Sequence, residues 1–171
     1  MPPKPKTPRL CAVEEGKVVN EVYSQLQPAL GLVGWAFGVK AEEVAPQWMR
    51  YVEFVVRYAK NGHLPPGATP VDVKSWVVRI SLLTSLSQES IWVGPGGPAF
   101  GAALARANLA QRESVPRHAL AALGGVNERR IRQLIEAGDI KAPYSGDVPA
   151  GAAMAWLKTR GVEVVEWRQK F

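Results

Sequence analysis

The chain has 171 residues, 47% of them apolar, one cysteine and a formal net charge of +6 at pH 7. That length and apolar content suffice for one large core or two small ones. A single thiol excludes a disulfide-stapled secreted fold, and the longest apolar run, residues 31–39, is too short to span a bilayer.

Residues 1–13 open with MPPKPKTPRL, which carries +3 and no acid. Proline and lysine bury little apolar area, and no apolar run follows that would make a signal peptide, so this stretch reads as a disordered basic arm of an intracellular protein. Residues 14–93 are expected to form a helical domain. Glu15–Gln27 is predicted helical and expected to stop at Pro28. Ala29–Val39 holds three glycines and reads as a packed turn or short helix. Glu42–Lys60 is the strongest helix, with acids at its positive end and Trp48, Tyr51, Val52, Val55, Tyr58 and Ala59 as its inward stripe. Asn61-Gly62 ends it. Thr69 then caps a further helix with Pro70 in its first turn, running through Trp76, Val77, Ile80, Leu83 and Leu86 to about Gln88. Its aromatics share a face with Val and Leu and read as core, not as a base-stacking platform.

Residues 94–98, GPGGP, read as a linker. The string GPGGPA formally fits G-x-G-x-x-A. Its two prolines remove amides, no Gly-Lys-Ser/Thr follows and no βαβ unit surrounds it, so a phosphate loop is set aside. Phe100–Gln111 is an alanine-rich helix leading into residues that point at a partner. The segment PRHALAALGGVNERRIRQLIEA, residues 116–137, has the outline of a helix-turn-helix. Gly124-Gly125 supplies the turn, Val126 plugs the corner, Asn127 caps the second helix and Gly138 ends it. At about 100° per residue, Ile131, Leu134 and Ile135 share one face. Arg129 and Gln133 fall opposite, where arginine meets guanine and glutamine meets adenine. Arg130 and Arg132 flank them at positions suited to phosphates. Arg117 and Lys141 complete the basic set. The net charge of residues 101–171 is +4 against −1 for residues 11–100, so with the +3 arm both ends are basic and the middle is neutral.

Downstream, residues 140–144 read as a short strand and Ser145-Gly146-Asp147 as a turn. An alanine-rich helix then runs to Arg160, and residues 162–167 alternate in strand fashion. Helix, wing and helix together make a winged helix-turn-helix over residues 99–171. The run Gly125, Val126, Asn127, Arg129, Ile131, Arg132, Leu134, Ile135, Gly138 and Ile140, with Ala153, Trp156, Leu157, Arg160 and Gly161 after it, resembles the DNA-binding domains of the MerR/excisionase superfamily. The resemblance covers residues 114–162 and implies a winged reader of the major groove.

The expected fold is mainly α: an N-terminal helical domain plus a C-terminal winged helix-turn-helix with a small β-wing. The expected function is sequence-specific, double-stranded DNA binding through helix 127–137, as a transcriptional regulator or an excision, partition or packaging adaptor. The site residues are Asn127, Arg129, Arg130, Arg132, Gln133, Arg117 and Lys141. Residues 14–93 would supply a homodimer or higher oligomer. With only His63, His118 and Cys11 as nitrogen and sulfur ligands, no metal site, cofactor, small-molecule substrate or enzyme activity is expected. The chain is expected in the cytoplasm, associated with the nucleoid. The alternative from another class is a protein-interaction adaptor or antitoxin-like module reusing the winged-helix fold.

Overall fold

The computed structural model describes residues 15–86, 90, 92, 94, 96–143 and 146–167. Among these, seven helices follow one another: α1 (Glu15–Phe37), α2 (Ala41–Asn61), α3 (Pro70–Leu86), α4 (Gly97–Ala110), α5 (Arg117–Gly124), α6 (Glu128–Glu136) and α7 (Ala150–Thr159). The arm expected at 1–13 lies outside the described residues, as do Tyr144 and Ser145 of the expected wing.

α1 does not stop at Pro28 but runs nine residues past it. A proline inside a helix forfeits one backbone bond and costs about 3 kcal/mol. Here the apolar face continues in phase across it: Val18, Val22 and Leu26 are followed by Ala29 and Leu30, all buried. Packing therefore overrides the local penalty. Gly34 makes the return into α2 tight, because a Cβ there would sit 2.6 Å from the Val39 carbonyl oxygen. The Val39 amide bonds the Gly34 carbonyl at 3.0 Å, and at the far end Arg57 pairs with Glu15 at 3.3 Å, so α1 and α2 are antiparallel.

α2 ends at Gly62, whose φ of 74° lets its amide reach the Tyr58 carbonyl at 2.8 Å. A loop turns the chain into α3, which runs back along α2. Trp76 stacks on Tyr51 with ring centroids 5.5 Å apart and tilts against Phe54. The C-terminal ends of α1 and α3 thus lie at the same end of the bundle. α3 opens on a reciprocal cap: the Thr69 amide and hydroxyl both donate to Asp72, and the Asp72 amide reaches the Thr69 hydroxyl oxygen. Those bonds from Thr69 hold the Asp72 carboxyl below its ordinary range.

α4 is the axle of the molecule. It packs on α2, α3, α5 and α7, and Phe100, Ala102, Ala103, Ala105, Ala107 and Leu109 are fully enclosed. Small residues permit this: a Cβ on Gly101 would lie 3.2 Å from the Ala122 Cβ of α5. Arg106 turns from α4 to the end of α2, donating to the carbonyls of Ala59 at 3.0 Å and Lys60 at 3.4 Å and to the Glu163 carbonyl at 2.7 Å. A cation at a helix C-terminus meets carbonyls that have no intrahelical donor. The buried side chains of α1–α7 form one contiguous cluster.

The expected β-wing is not formed. Among the described residues there is no strand or sheet, only an isolated antiparallel bridge between Val115 and Val148, with both amide-to-carbonyl distances 2.9 Å. The reason is adjacent in the chain. Pro116 and Pro149 follow the bridging residues and cap α5 and α7, so both segments become helix two residues after the bridge and no second rung can form. The alternating segment 162–167 is likewise not a strand. Its alternation reflects one face packed on helices: Val162 is buried, the Val162 amide bonds Leu157 and the Trp167 amide bonds Ala110.

Candidate nucleic-acid interface

Two glycines close α5 for two different reasons. Gly125 takes φ of 67°, left-handed backbone that favours a residue without Cβ, and its amide bonds the Ala121 and Ala122 carbonyls. The Val126 amide then reaches back to Ala121 at 2.9 Å. Gly124 is needed for space: a Cβ there would lie 2.3 Å from the Trp156 ring of α7. The Arg160 side chain completes this clasp, with Nε donating to the Gly124 carbonyl at 3.2 Å and its guanidinium 5.9 Å from the Trp156 ring centroid. α7 therefore locks the corner between α5 and α6 from behind.

Asn127 begins α6 in extended backbone, and its Oδ1 accepts from the Arg130 amide at 2.8 Å. Ile131, Leu134 and Ile135 point into the core. At the far end Gly138 takes φ of 81°, and the Ile140 amide returns to the Leu134 carbonyl at 3.1 Å. That bond folds the next segment under α6, with Ile140 buried.

The opposite side of α6 carries Arg129, Arg130, Arg132 and Gln133, all exposed, with Asn127 exposed at its start and Lys141 exposed just beyond its end. Arg129 and Gln133 are one turn apart on the same line. Arg132 pairs with Glu128 one turn before it, at 2.6 Å. Arg117 is set apart from this group. It is half-buried at the start of α5, and its guanidinium donates to the Pro143 carbonyl at 3.0 Å, tying the segment after α6 to α5. Its geometry serves the scaffold.

Beside the corner lies an open groove of about 710 Å³ between the start of α4 and the α5–α6 turn. Gly101, Ala122 and Gly125 line it, with Trp92 and His118 edge to face across 6.2 Å. Reading the sequence does not find the groove, nor the roles of Arg106 and Arg160, which bond backbone carbonyls from distant helices and leave no local pattern. For Gly124 the signal is present: a helix C-cap needs only one left-handed residue, so the second of two adjacent glycines points to a close approach. Among the described residues, no helix is long and apolar enough to cross a membrane. No family model, curated protein or solved structure matches the chain.

Proposed function

We propose that this chain is a sequence-specific DNA-binding protein that lays α6 in the major groove. The reading is carried by one observation: the face of α6 that bears Arg129, Arg130, Arg132 and Gln133 is exposed, while its other face is fixed by core packing, an Asn cap and a glycine corner. Arg129 and Gln133 would meet base edges, as bidentate partners for guanine and adenine. Arg130 and Lys141 would hold phosphates, and Arg132, steadied by Glu128, would do so at the flank. α7, locked to Gly124, would hold α6 in register without touching the duplex. The role is that of a regulator or of an excision, partition or packaging adaptor.

The test is selection from a random duplex library followed by anisotropy titrations over a range of salt. Binding should weaken steeply as salt rises, because each phosphate contact releases counterions. Arg129→Ala and Gln133→Ala should each erode discrimination between selected and random sites by about 1–3 kcal/mol. Arg130→Ala should weaken both alike and reduce the salt slope by about one. If these variants and Arg132→Ala all leave DNA affinity unchanged, the reading fails and the helix pair serves a protein partner instead.

A further inference from the structure

α3 is apolar on two opposite sides. Val73, Val77 and Ile80 enter the core, while Val71, Val78, Leu82 and Leu86 form a second stripe facing water, 54%, 54%, 62% and 59% exposed. A helix that is apolar all round is ordinarily enclosed. The end of α1, at the same end of the bundle as Leu86, adds Trp35 and Phe37, 87% and 77% exposed. Of the ten large apolar residues exposed among the described ones, seven lie on α3 or in the last two turns of α1, and Val39 in the turn that follows makes eight. At ordinary side-chain areas the four on α3 leave on the order of 400 Å² of apolar surface in water, and the apolar residues at the end of α1 about as much again, which together approach the roughly 800 Å² per partner of a standard interface.

We infer that this face is where a second copy of the chain docks, two α3 helices packing antiparallel about a two-fold axis beside Val78. The stripe is self-complementary. Written as 71, 75, 78, 82 and 86, it is nearly symmetric about the point between 78 and 79: reversal sets Val71 opposite Leu86 of the partner and Ser75 opposite Leu82 of the partner, with the two Val78 side chains flanking the axis. An isologous interface requires that property. No charged residue interrupts the stripe; Asp72 and Arg79 lie to one side of it, where a polar rim belongs. Trp35 and Phe37 then reach over the Val71 end of the other copy. The dimer does not depend on the proposed DNA reading, but it would give each assembly two α6 helices, as recognition of paired half-sites requires.

Sedimentation equilibrium of the full chain tests this directly. The expected mass is that of two chains, and Val78→Glu and Leu82→Ser should each raise the dimer dissociation constant, Val78→Glu by on the order of 100-fold. Both positions face water in the single chain, so helical circular dichroism should be unchanged. Where Val78→Glu fails to fold, Leu82→Ser and the crosslink below carry the test. In a Cys11→Ser background, Val78→Cys should form a crosslinked dimer under mild oxidation, whereas Lys17→Cys on the exposed start of α1 should not. A monomer at all concentrations overturns the inference, as does a dimer indifferent to both substitutions and to oxidation at position 78. Failure of the DNA reading looks different: Arg129→Ala should remain dimeric, and Val78→Glu should retain salt-dependent DNA binding at reduced affinity.

Discussion

α3 and α6 are both surface helices, and they present opposite faces to water. α6 buries every one of its apolar side chains and turns out three arginines and a glutamine. α3 buries three aliphatic side chains and leaves four more in solvent. The first is what a solvated or polyanion-facing helix requires, since guanidinium groups keep their hydration until a phosphate or base replaces it. The second leaves apolar area in water, a cost that a partner surface removes. On the two proposals, the bundle α1–α3 would meet protein and the region α5–α7 a charged polymer. α4 and Arg106 make the two share one core.

That shared core is where the largest effects are expected. Phe100 is fully enclosed in α4, and Phe100→Ala should cost about 3–5 kcal/mol through lost burial and the cavity left behind. Urea unfolding followed by tryptophan fluorescence and by circular dichroism should give one coincident transition, shifted as a unit. Two separate transitions would mean that the regions are independent and the comparison is between two domains. Tyr58 probes the same seam from α2. Burial pushes its phenol up to about 12, against the opposing pull of the Arg106 guanidinium. Because the folded phenol holds its proton after the unfolded one, near 10, has lost it, stability should fall as pH rises from about 10 to about 12, by up to roughly 2–3 kcal/mol. Tyr58→Phe should flatten that alkaline decline relative to the parent and change little at neutral pH.

A smaller effect isolates the second region. Gly124→Ala would drive a methyl group into the Trp156 ring, and overpacking of this kind costs about 1–3 kcal/mol. The ring has α7 behind it, so the corner between α5 and α6 must shift. DNA affinity should fall along with stability, while the sedimentation mass stays that of the parent. A change in mass would show that the two regions are coupled through more than the shared core.

The two surfaces were not equally legible in the sequence. The ends of α2, the corner at Gly125 and the faces of α6 follow from local rules, because cap, turn and period there agree. α3 defeats the same reasoning. Its pattern puts apolar side chains on every side, so period alone cannot choose its rotation about its axis. Stacking of Trp76 on Tyr51 and burial of Ile80 choose it, and Leu86 is left in water. α1 beyond Pro28 is a case of tertiary packing overruling a breaker. The missing wing is a case of strand-like composition with no room to pair, since helices begin two residues after both bridging residues. The outward side of α6 is readable because it follows from where Ile131, Leu134 and Ile135 must go.

The smallest effect separates what α6 owes to its fold from what it would owe to DNA. The Asn127 side chain accepts from the Arg130 amide, and losing a cap of this kind costs about 1 kcal/mol, so Asn127→Ala should lower the unfolding midpoint modestly. Asn127→Asp keeps the acceptor and adds a negative charge at the positive end of the helix, so stability should be retained or slightly raised. On DNA the two variants should diverge the other way. If α6 enters the groove as proposed, the new carboxylate would stand near the phosphates and should repel them, most strongly at low salt, whereas alanine leaves that approach uncharged. A stable Asn127→Asp protein that binds duplex less well than the less stable Asn127→Ala protein would locate the polyanion at this helix start. Equal binding by both would move it elsewhere on the molecule.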